Sequence, residues 1–588
     1  MRGMWNKLRE HYIVCIAAFV MAVLVLFPVI YFRVAARDAY QGINIPHFGT
    51  DAHFYLSRAR EAFDGHRLGN PLLHENKNGP DSFFMYTERF LMAPVRWLSF
   101  GHQVNVVSVY YVLDFVGVML LIFLLYSLAR QLGANNLSAV AAAVFAIGGY
   151  SIVYNKVLFY NDFNIYGRPT IPFTSSVITF LYLNLFLKTV RGGSRRYFVG
   201  AAIALGALFN MYFYAWSFAL AFNGVMGGLY LCQKDWARFR QLAIITIGGL
   251  MLGAYNLYSL FSYLTSDVGK QSSYFLLLAR THVPIFSKIS FGVLILFIWF
   301  FYKKRKSGEW LFILGFIITS WVVLNEQILT GRSLQYGHYY WYFIVPLSIV
   351  VGIYMLWVLL SATRYQMVFS LVLIALAIVN SVVGQYRSSL TNFNEKKQEQ
   401  EFRPLIDFLN VSREPSVVLT TDNSDGYLFT IYTPHDLFWN SGALLLNTPT
   451  THIEDTFLVY AFLNKKARLN FPQFLRNLEQ DRQQWPVYRD LYEDLEGLWS
   501  GKDYGTYQAA VLEHDPTIIP GREETVRRLT KDFFERASDA DKVEGLLQKY
   551  SVRYIVWDEK ASPEWDLSDL PDLVERVHNG RLHLYEIK

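Results

Sequence analysis

Long apolar runs bounded by charged residues fill the first two thirds of the chain and limit its fold more than any other feature. A helix needs about 20 apolar residues to cross the hydrocarbon core of a bilayer. Eleven such runs occur, some of them short, at 12–32, 105–128, 137–153, 171–187, 197–211, 217–232, 242–265, 289–302, 310–324, 341–360 and 366–385. We therefore expect an α-helical polytopic membrane protein with about eleven transmembrane helices. The length of the first run favours an uncleaved helix over a cleaved signal peptide.

Charge divides the chain near residue 385. Residues 1–385 carry 30 Lys+Arg and 14 Asp+Glu, whereas residues 386–588 carry 24 and 34. We expect a transmembrane domain at 1–385 with a long first loop at 33–104, and an independently folding soluble domain at 386–588, called the tail below. Strand patterns near 416–421, 553–557 and 582–587, and helical patterns near 456–467, 521–537 and 540–549, predict an α/β class for the tail.

The signs of these charges also limit the partners. A basic membrane half suits anionic lipid head groups or lipid-linked phosphates, and an acidic tail argues against nucleic acid. With the N-terminus in the cytoplasm, the inner loops hold 16 Lys+Arg and the short outer loops hold six. This asymmetry predicts a multi-pass plasma-membrane protein with its first loop and its tail outside the cytoplasm.

The first loop contains the segment Asp51 to Asp64, which has a helical pattern and is closed by Gly65. Asp51, Tyr55 and Arg58 stand at positions i, i+4 and i+7, so one helical face would present a carboxylate, a phenol and a guanidinium. The alternative is that Asp51 only caps the helix and that Arg58 pairs with a surface acid.

Two later outer loops are rich in polar side chains. Arg168 is suited to a phosphate group at the membrane surface. The last outer loop contains four polar side chains that can converge on an anion or a hydroxyl group: Glu326, Arg332, Gln335 and His338. Its two glycines permit unusual backbone conformations. The alternative for the aromatic residues and for His338 is an interfacial belt.

This plan resembles the GT-C superfamily of polyprenyl-phosphate-dependent membrane glycosyltransferases, including oligosaccharyltransferase catalytic subunits and mannosyl- and arabinosyltransferases. The resemblance covers the whole chain: many spans, a long first outer loop opening with Asp-x-x-x-Tyr, polar outer loops and an outer C-terminal domain. It implies that Asp51, with Asp38 as competitor, and Asp162 are the acidic site residues. The segment 499–505 departs from the oligosaccharyltransferase signature Trp-Trp-Asp-Tyr-Gly by inserted residues, which argues against a peptide acceptor.

The residues fit transfer of a sugar from a lipid phosphate to a hydroxyl group, with Asp51 as base and Arg58, Arg168 and Arg332 around the phosphate. A divalent cation stays open, since Asp51, Asp162, Glu326 and His338 would form an oxygen-rich site only if the fold joins them. The alternative functions are a transporter or flippase of lipid-linked or anionic substrates and a non-enzymatic scaffold for envelope assembly. The sequence does not fix the sugar, the acceptor or the oligomeric state.

Overall fold

The computed structural model of the chain describes residues 2–46, 49–83, 85–100, 102–160, 166, 168, 173–276, 280–304, 309–360, 363–412, 414–421, 423–480, 485–502, 504–513, 515–570 and 572–588. The N-terminal part is helical. Its helices are α1 Arg2–Val25, α2 Phe27–Ala35, α3 Gly49–Asp64, α4 Thr87–Leu98, α5 Val106–Gln131, α6 Asn136–Gly148, α7 Tyr150–Tyr154, α8 Phe173–Val190, α9 Arg195–Phe209, α10 Phe213–Cys232, α11 Trp236–Thr265, α12 Asp267–Leu276, α13 Lys288–Lys304, α14 Trp310–Leu324, α15 Gln327–Thr330, α16 Gly337–Tyr339, α17 Val345–Leu359 and α18 Thr363–Thr391.

Where the structure describes them, the eleven apolar runs predicted from the sequence fall on helices, and those at 12–32 and 137–153 are each divided between two helices. Within the described ranges, eight helical stretches are long and apolar enough to cross a membrane. The runs at 137–153, 197–211 and 289–302 fall in the shorter helices α6, α9 and α13. The prediction of an α-helical polytopic membrane protein is confirmed.

Side-chain caps fix where several of these helices begin. The side chain of Asn105 accepts a hydrogen bond from the backbone N–H of Ser108 at the start of α5, and Asn135 does the same for Ser138 at the start of α6. Asp235 caps α11 through the N–H of Arg238. Each cap satisfies a backbone donor that has no partner inside the helix, so the helix start is specified locally.

Small residues allow α9 and α11 to pack closely. Gly249 and Gly253 of α11 face the side chains of Leu205 and Phe209 of α9, so closely that an added Cβ would lie 2.6 and 2.5 Å from them. Two helices can approach in this way only where one side chain is missing.

The tail is a small α/β unit. Its helices are α19 Phe393–Glu399, α20 Arg403–Leu409, α21 Asn423–Tyr432, α22 Thr450–Leu463, α23 Lys465–Leu469, α24 Phe471–Gln480, α25 Pro486–Ser500, α26 Tyr504–Leu512, α27 Ile519–Arg536 and α28 Ala540–Lys549. Its strands are β1 Val417–Thr420, β2 Asp436–Leu437, β3 Val552–Asp558, β4 Leu573–Asn579 and β5 Leu582–Ile587. They form one sheet in the order β2-β1-β3-β5-β4, in which β1 runs parallel to β2 and β3, and β5 runs antiparallel to β3 and β4. The predicted α/β class of the tail is confirmed.

The first loop and the tail are interlocked. Oγ of Ser57 in α3 lies 2.6 Å from Oγ1 of Thr430 in α21. The N–H of Leu437 donates to the carbonyl oxygen of Leu72 over 2.8 Å, and Leu73 forms a parallel bridge to Leu437 beside β2. The first loop and the tail therefore pack directly against each other.

The boundary predicted near residue 385 falls inside a helix. α18 continues to Thr391, and α19 follows directly. Lys396 of α19 is buried and donates to Oδ1 of Asn44 over 3.2 Å and to the carbonyl oxygen of Ile45 over 2.5 Å. The tail therefore begins already attached to the loop that follows α2.

Candidate active site

Helix α3 positions Asp51 and Tyr55 one turn apart. The helix ends at Asp64 and Gly65 follows with φ of 98°, so the predicted helix and its glycine stop are confirmed. The side chain of Asp51 is 60% exposed, whereas Tyr55 is buried. Burial raises the pKa of the Tyr55 phenol, which therefore stays neutral.

Arg168 joins α3 to the rest of the site. Its Nη2 lies 2.7 Å from Oδ2 of Asp51, and its guanidinium carbon stands 4.9 Å from the centre of the Tyr55 ring. Its Nη1 donates to the hydroxyl oxygen of Tyr342 over 2.7 Å. Burial alone would lower the pKa of Arg168, but Tyr55, Tyr342 and Asp51 together raise it above its ordinary value. Arg168 is thus a fixed cation whose three partners come from two parts of the chain, α3 and the segment around Tyr342.

Next to Tyr342, the rings of His338, Tyr212 and Tyr214 form an aromatic wall. The ring centroids of His338 and Tyr342 are 5.7 Å apart, and Nδ1 of His338 is hydrogen-bonded to the hydroxyl of Tyr212. The ring of Tyr214 stacks on His338 at 4.7 Å with an interplanar angle of 26°. The backbone of Gln335 is hydrogen-bonded to the Tyr214 hydroxyl. His338 is therefore held by neighbours on several sides.

Of the other residues predicted from the last loop, Glu326 is connected to this wall. The carboxylate of Glu326 is hydrogen-bonded to Tyr339, whose ring meets Tyr214 edge-on at 4.9 Å. α15 ends at Gly331 with φ of 66°, the left-handed conformation that the glycine permits. Arg332 follows it and is exposed to solvent.

Arg58 does not join this cluster. Its side chain is fully buried, with Nη2 2.7 Å from Oδ2 of Asp81 and Nε 2.8 Å from Oε1 of Glu88. The expected surface of Asp51, Tyr55 and Arg58 is wrong in its last member. Arg58 ties α3 to α4 as a structural ion pair, and its partners are buried acids instead of surface ones.

The tail borders the site on another side. Nε2 of His53 lies 3.8 Å from Oε1 of Glu399 in α19, and its ring centroid is 5.9 Å from that of Tyr427 in α21. Both residues of the tail are buried. His53 is thus enclosed between α3 and the tail, two residues from Asp51.

Asp162 lies outside the described residues. Asp38 sits exposed in the short 3-10 turn Arg37–Ala39 after α2. A divalent cation does not fit the described cluster, because its exposed carboxylate, Asp51, is already paired with the Arg168 cation, which would repel a metal ion.

Sequence reasoning missed Tyr212, Tyr214 and Tyr342. They lie just where a polar loop meets an apolar run, which makes them look like interfacial aromatics. The run Tyr212-Phe213-Tyr214 between two spans is the signal that could have found two of them.

No family model and no curated protein matches this chain. Among solved structures, the apo form of the Archaeoglobus fulgidus oligosaccharyltransferase aligns with a TM-score of 0.50 at 11% identity, covering 95% of this chain and 70% of that one. ArnT from Cupriavidus metallidurans bound to undecaprenyl phosphate has a TM-score of 0.45 at 13% identity, covering 75% and 87%. The archaeal oligosaccharyltransferase AglB with an inhibitory peptide and a dolichol-phosphate has 0.48 at 11%, covering 99% and 75%.

At 11% identity, the first of these matches shows a shared fold and nothing about function. The chain shares the fold of the Archaeoglobus fulgidus oligosaccharyltransferase, and the GT-C-like fold expected from the sequence is confirmed.

Proposed function

We propose that this GT-C-fold chain is a membrane glycosyltransferase that moves a sugar from a polyprenyl-phosphate-linked donor to a hydroxyl acceptor on the extracytoplasmic face. One observation carries the proposal: the exposed carboxylate of Asp51 is ion-paired at 2.7 Å with Arg168, which Tyr342 also holds at 2.7 Å. A carboxylate beside a fixed cation suits a transfer in which a proton is lost and phosphate charge develops.

The reaction is a single displacement. The acceptor oxygen attacks the anomeric carbon of the donor sugar and a new C–O bond forms. The bond from that carbon to the phosphate oxygen breaks, and the polyprenyl phosphate leaves with the electron pair. The acceptor proton passes to Asp51. Because phosphate is a good leaving group, no covalent sugar–enzyme intermediate is needed.

Arg168 and Arg332 supply the positive charge for the phosphate in two different ways. Arg168 is 8% exposed and held by three partners, so it orients Asp51 and faces any phosphate placed beside that carboxylate. Arg332 is exposed on the last loop, six residues before His338 in the aromatic wall. A long, exposed guanidinium can meet the lipid phosphate as the donor enters.

The first experiment tests the base. The purified chain in lipid nanodiscs is offered a panel of synthetic polyprenyl-phosphate sugars, and release of polyprenyl phosphate is followed. Asp51→Asn removes the proton acceptor but keeps the size of the side chain, so turnover should fall about 10²–10⁴-fold. Asp38→Asn is the matched control, since it removes an exposed carboxylate from the same loop, and its turnover should be unchanged.

The second experiment separates binding from chemistry. Undecaprenyl phosphate binding is measured on the same preparations by native mass spectrometry. Asp51→Asn should bind it as well as the unchanged chain, whereas Arg332→Ala should bind it more weakly. Wild-type turnover in Asp51→Asn, or turnover by no member of the panel, would contradict the proposal.

A further inference from the structure

We infer that the last hairpin of the tail, β4–β5, carries a binding site for Zn²⁺ or a similar borderline divalent cation, formed by Glu575, His578 and His583. One ligand atom from each of these side chains lies within 4.8 Å of the other two. Two imidazoles and one carboxylate are a common protein ligand set for zinc, with a water molecule in the fourth position. This inference is independent of the proposed glycosyl transfer.

Strand register brings the two histidines together. His578 of β4 and His583 of β5 are directly opposed in the antiparallel pair, and their ring centroids are 4.2 Å apart. Cross-strand partners point to the same face of a sheet. The two imidazoles therefore stand side by side on one face of the hairpin.

A β-bulge brings in the carboxylate. Side chains alternate along a strand, so residues three apart, such as Glu575 and His578, would normally point to opposite faces. The register of β4 shifts between Glu575 and Val577, and the extra residue returns Glu575 to the face of His578. Arg576, the residue within the bulge, turns away and pairs with Glu586 at 2.8 Å.

The distances suit a small ion. Oε1 of Glu575 lies 2.6 Å from Nδ1 of His583 and 3.7 Å from Nδ1 of His578. Ligand atoms of a tetrahedral zinc ion, each about 2.0–2.1 Å from the metal, are roughly 3.3 Å apart. The ion needs only small side-chain movements, since the two measured separations lie on either side of that value.

The second nitrogen of His578 has an acceptor. Nε2 of His578 lies 2.9 Å from the carbonyl oxygen of Gly580, whereas Nε2 of His583 lies 3.0 Å from Oε1 of Glu559 without the geometry of a hydrogen bond. Metal-binding histidines usually have such a partner, which keeps the proton on one nitrogen and leaves the other free to bind the metal. His583 is further held against the rings of Trp557 and Tyr585.

Binding replaces a proton by the metal ion. Metal ligation needs unprotonated nitrogen, so any proton on Nδ1 of His583, now shared with Glu575, is released to solvent when the ion binds. The ion would hold β4, an edge strand of the sheet, against β5. Asn579 at the end of that strand donates to the carbonyl oxygen of Glu401 over 2.7 Å. The hairpin therefore also contacts the segment between α19 and α20.

The test uses the full chain, purified in detergent without a histidine tag and stripped with a chelator. Zinc chloride is titrated by calorimetry into the unchanged chain and into His578→Ala, whose side chain is 57% exposed, so the fold should survive. The unchanged chain should bind one more zinc ion, with micromolar or tighter affinity, than the variant. His102→Ala, which removes an exposed histidine elsewhere, should match the unchanged chain.

Hydrogen exchange supplies the second measurement. Zinc should slow amide exchange over residues 572–588 in the unchanged chain and in His102→Ala, but not in His578→Ala. Equal zinc stoichiometry and affinity in the unchanged chain and His578→Ala would overturn the inference. So would loss of the same zinc ion in His102→Ala, or protection that omits the hairpin.

Discussion

The hydroxyl oxygen of Tyr342 accepts a hydrogen bond from Nη1 of Arg168 over 2.7 Å, although 174 residues separate them in the chain. Arg168 reaches from there to Asp51 of α3. The candidate site is thus assembled from three distant segments, and the position of its cation depends on a residue that need not touch the substrate.

Tyr342→Phe should therefore act through Arg168. The substitution removes one hydroxyl and leaves the ring packing, so the protein should stay folded. Arg168 loses a fixed partner and Asp51 becomes less well oriented, so turnover should fall about 10-fold while the affinity for undecaprenyl phosphate changes less. Tyr336→Phe, an exposed tyrosine of the same loop, is the control. Equal turnover in both variants would show that Tyr342 does not position Arg168.

Arg58→Met should lower stability instead of activity. It leaves Asp81 and Glu88 buried without their cation, and breaking such a buried pair typically costs about 3–5 kcal/mol. Burial already raises the pKa of Glu88. The loss should be smaller at pH 5 than at pH 7.5, because protonation removes the buried charge. Thermal unfolding in detergent measures it, with exposed Arg89→Met as control; equal melting temperatures would refute the structural role.

Lys396 predicts a pH dependence. Burial lowers its pKa to about 8, against 10.5 for an ordinary lysine. Between these values the unfolded chain holds a proton that the folded chain has lost, so stability should rise with pH from about 8 to about 10. In Lys396→Met this rise should be absent. Parallel melting curves against pH for the two proteins would rule out the effect.

The tail should not fold well alone. The sequence alone predicts an independent domain, but Tyr427, Leu428 and Phe429 of α21 are buried in the same apolar core as α3. We expect a fragment of residues 393–588 to bind a hydrophobic dye and to aggregate, and co-expression with residues 1–392 to rescue it. A monomeric fragment with cooperative unfolding would support the independent domain.

Orientation can be tested separately. Alkaline phosphatase, which is active only outside the cytoplasm, should be active when fused after residue 588 and when inserted at the exposed residue 78 in the first loop. The two reporters should agree because the first loop and the tail touch. If neither fusion is active, the orientation is opposite to the predicted one. If only one is active, the packing of α3 on α21 is contradicted.

Periodicity and length explain which parts of the fold the sequence predicted. Every apolar run became a helix, because a membrane helix needs only local composition. Helix α3 formed as predicted, which spaces Asp51, Tyr55 and Arg58 along one side of it. Arg58 is nevertheless buried, because it lies about 10 Å farther along the axis than Asp51, where Glu88 of α4 covers it. Burial along an axis depends on tertiary partners, which periodicity does not report.

Strands β2 and β4 were not predicted from the sequence, and each was missed for a local reason. β2 has two residues, too few for any pattern, and it forms because it lies between β1 and the bridge from Leu73. β4 is an edge strand with Glu575 and Arg576 in its middle and a bulge beside them, so its alternation is broken. The pairing of Arg168 with Tyr342 likewise depends on a contact between segments that are far apart in the chain.

The bond between Lys77 and Asp436 spans 359 residues. At a synthesis rate of about 5–20 residues per second, the first loop waits roughly 20–70 s for this partner. During that time its inward-facing apolar side chains and the carboxylate of Glu61, which Lys77 also contacts, are incompletely covered. The first loop is then open to proteases until its partner is made, and a chain terminated before α21 would retain that vulnerability throughout its lifetime.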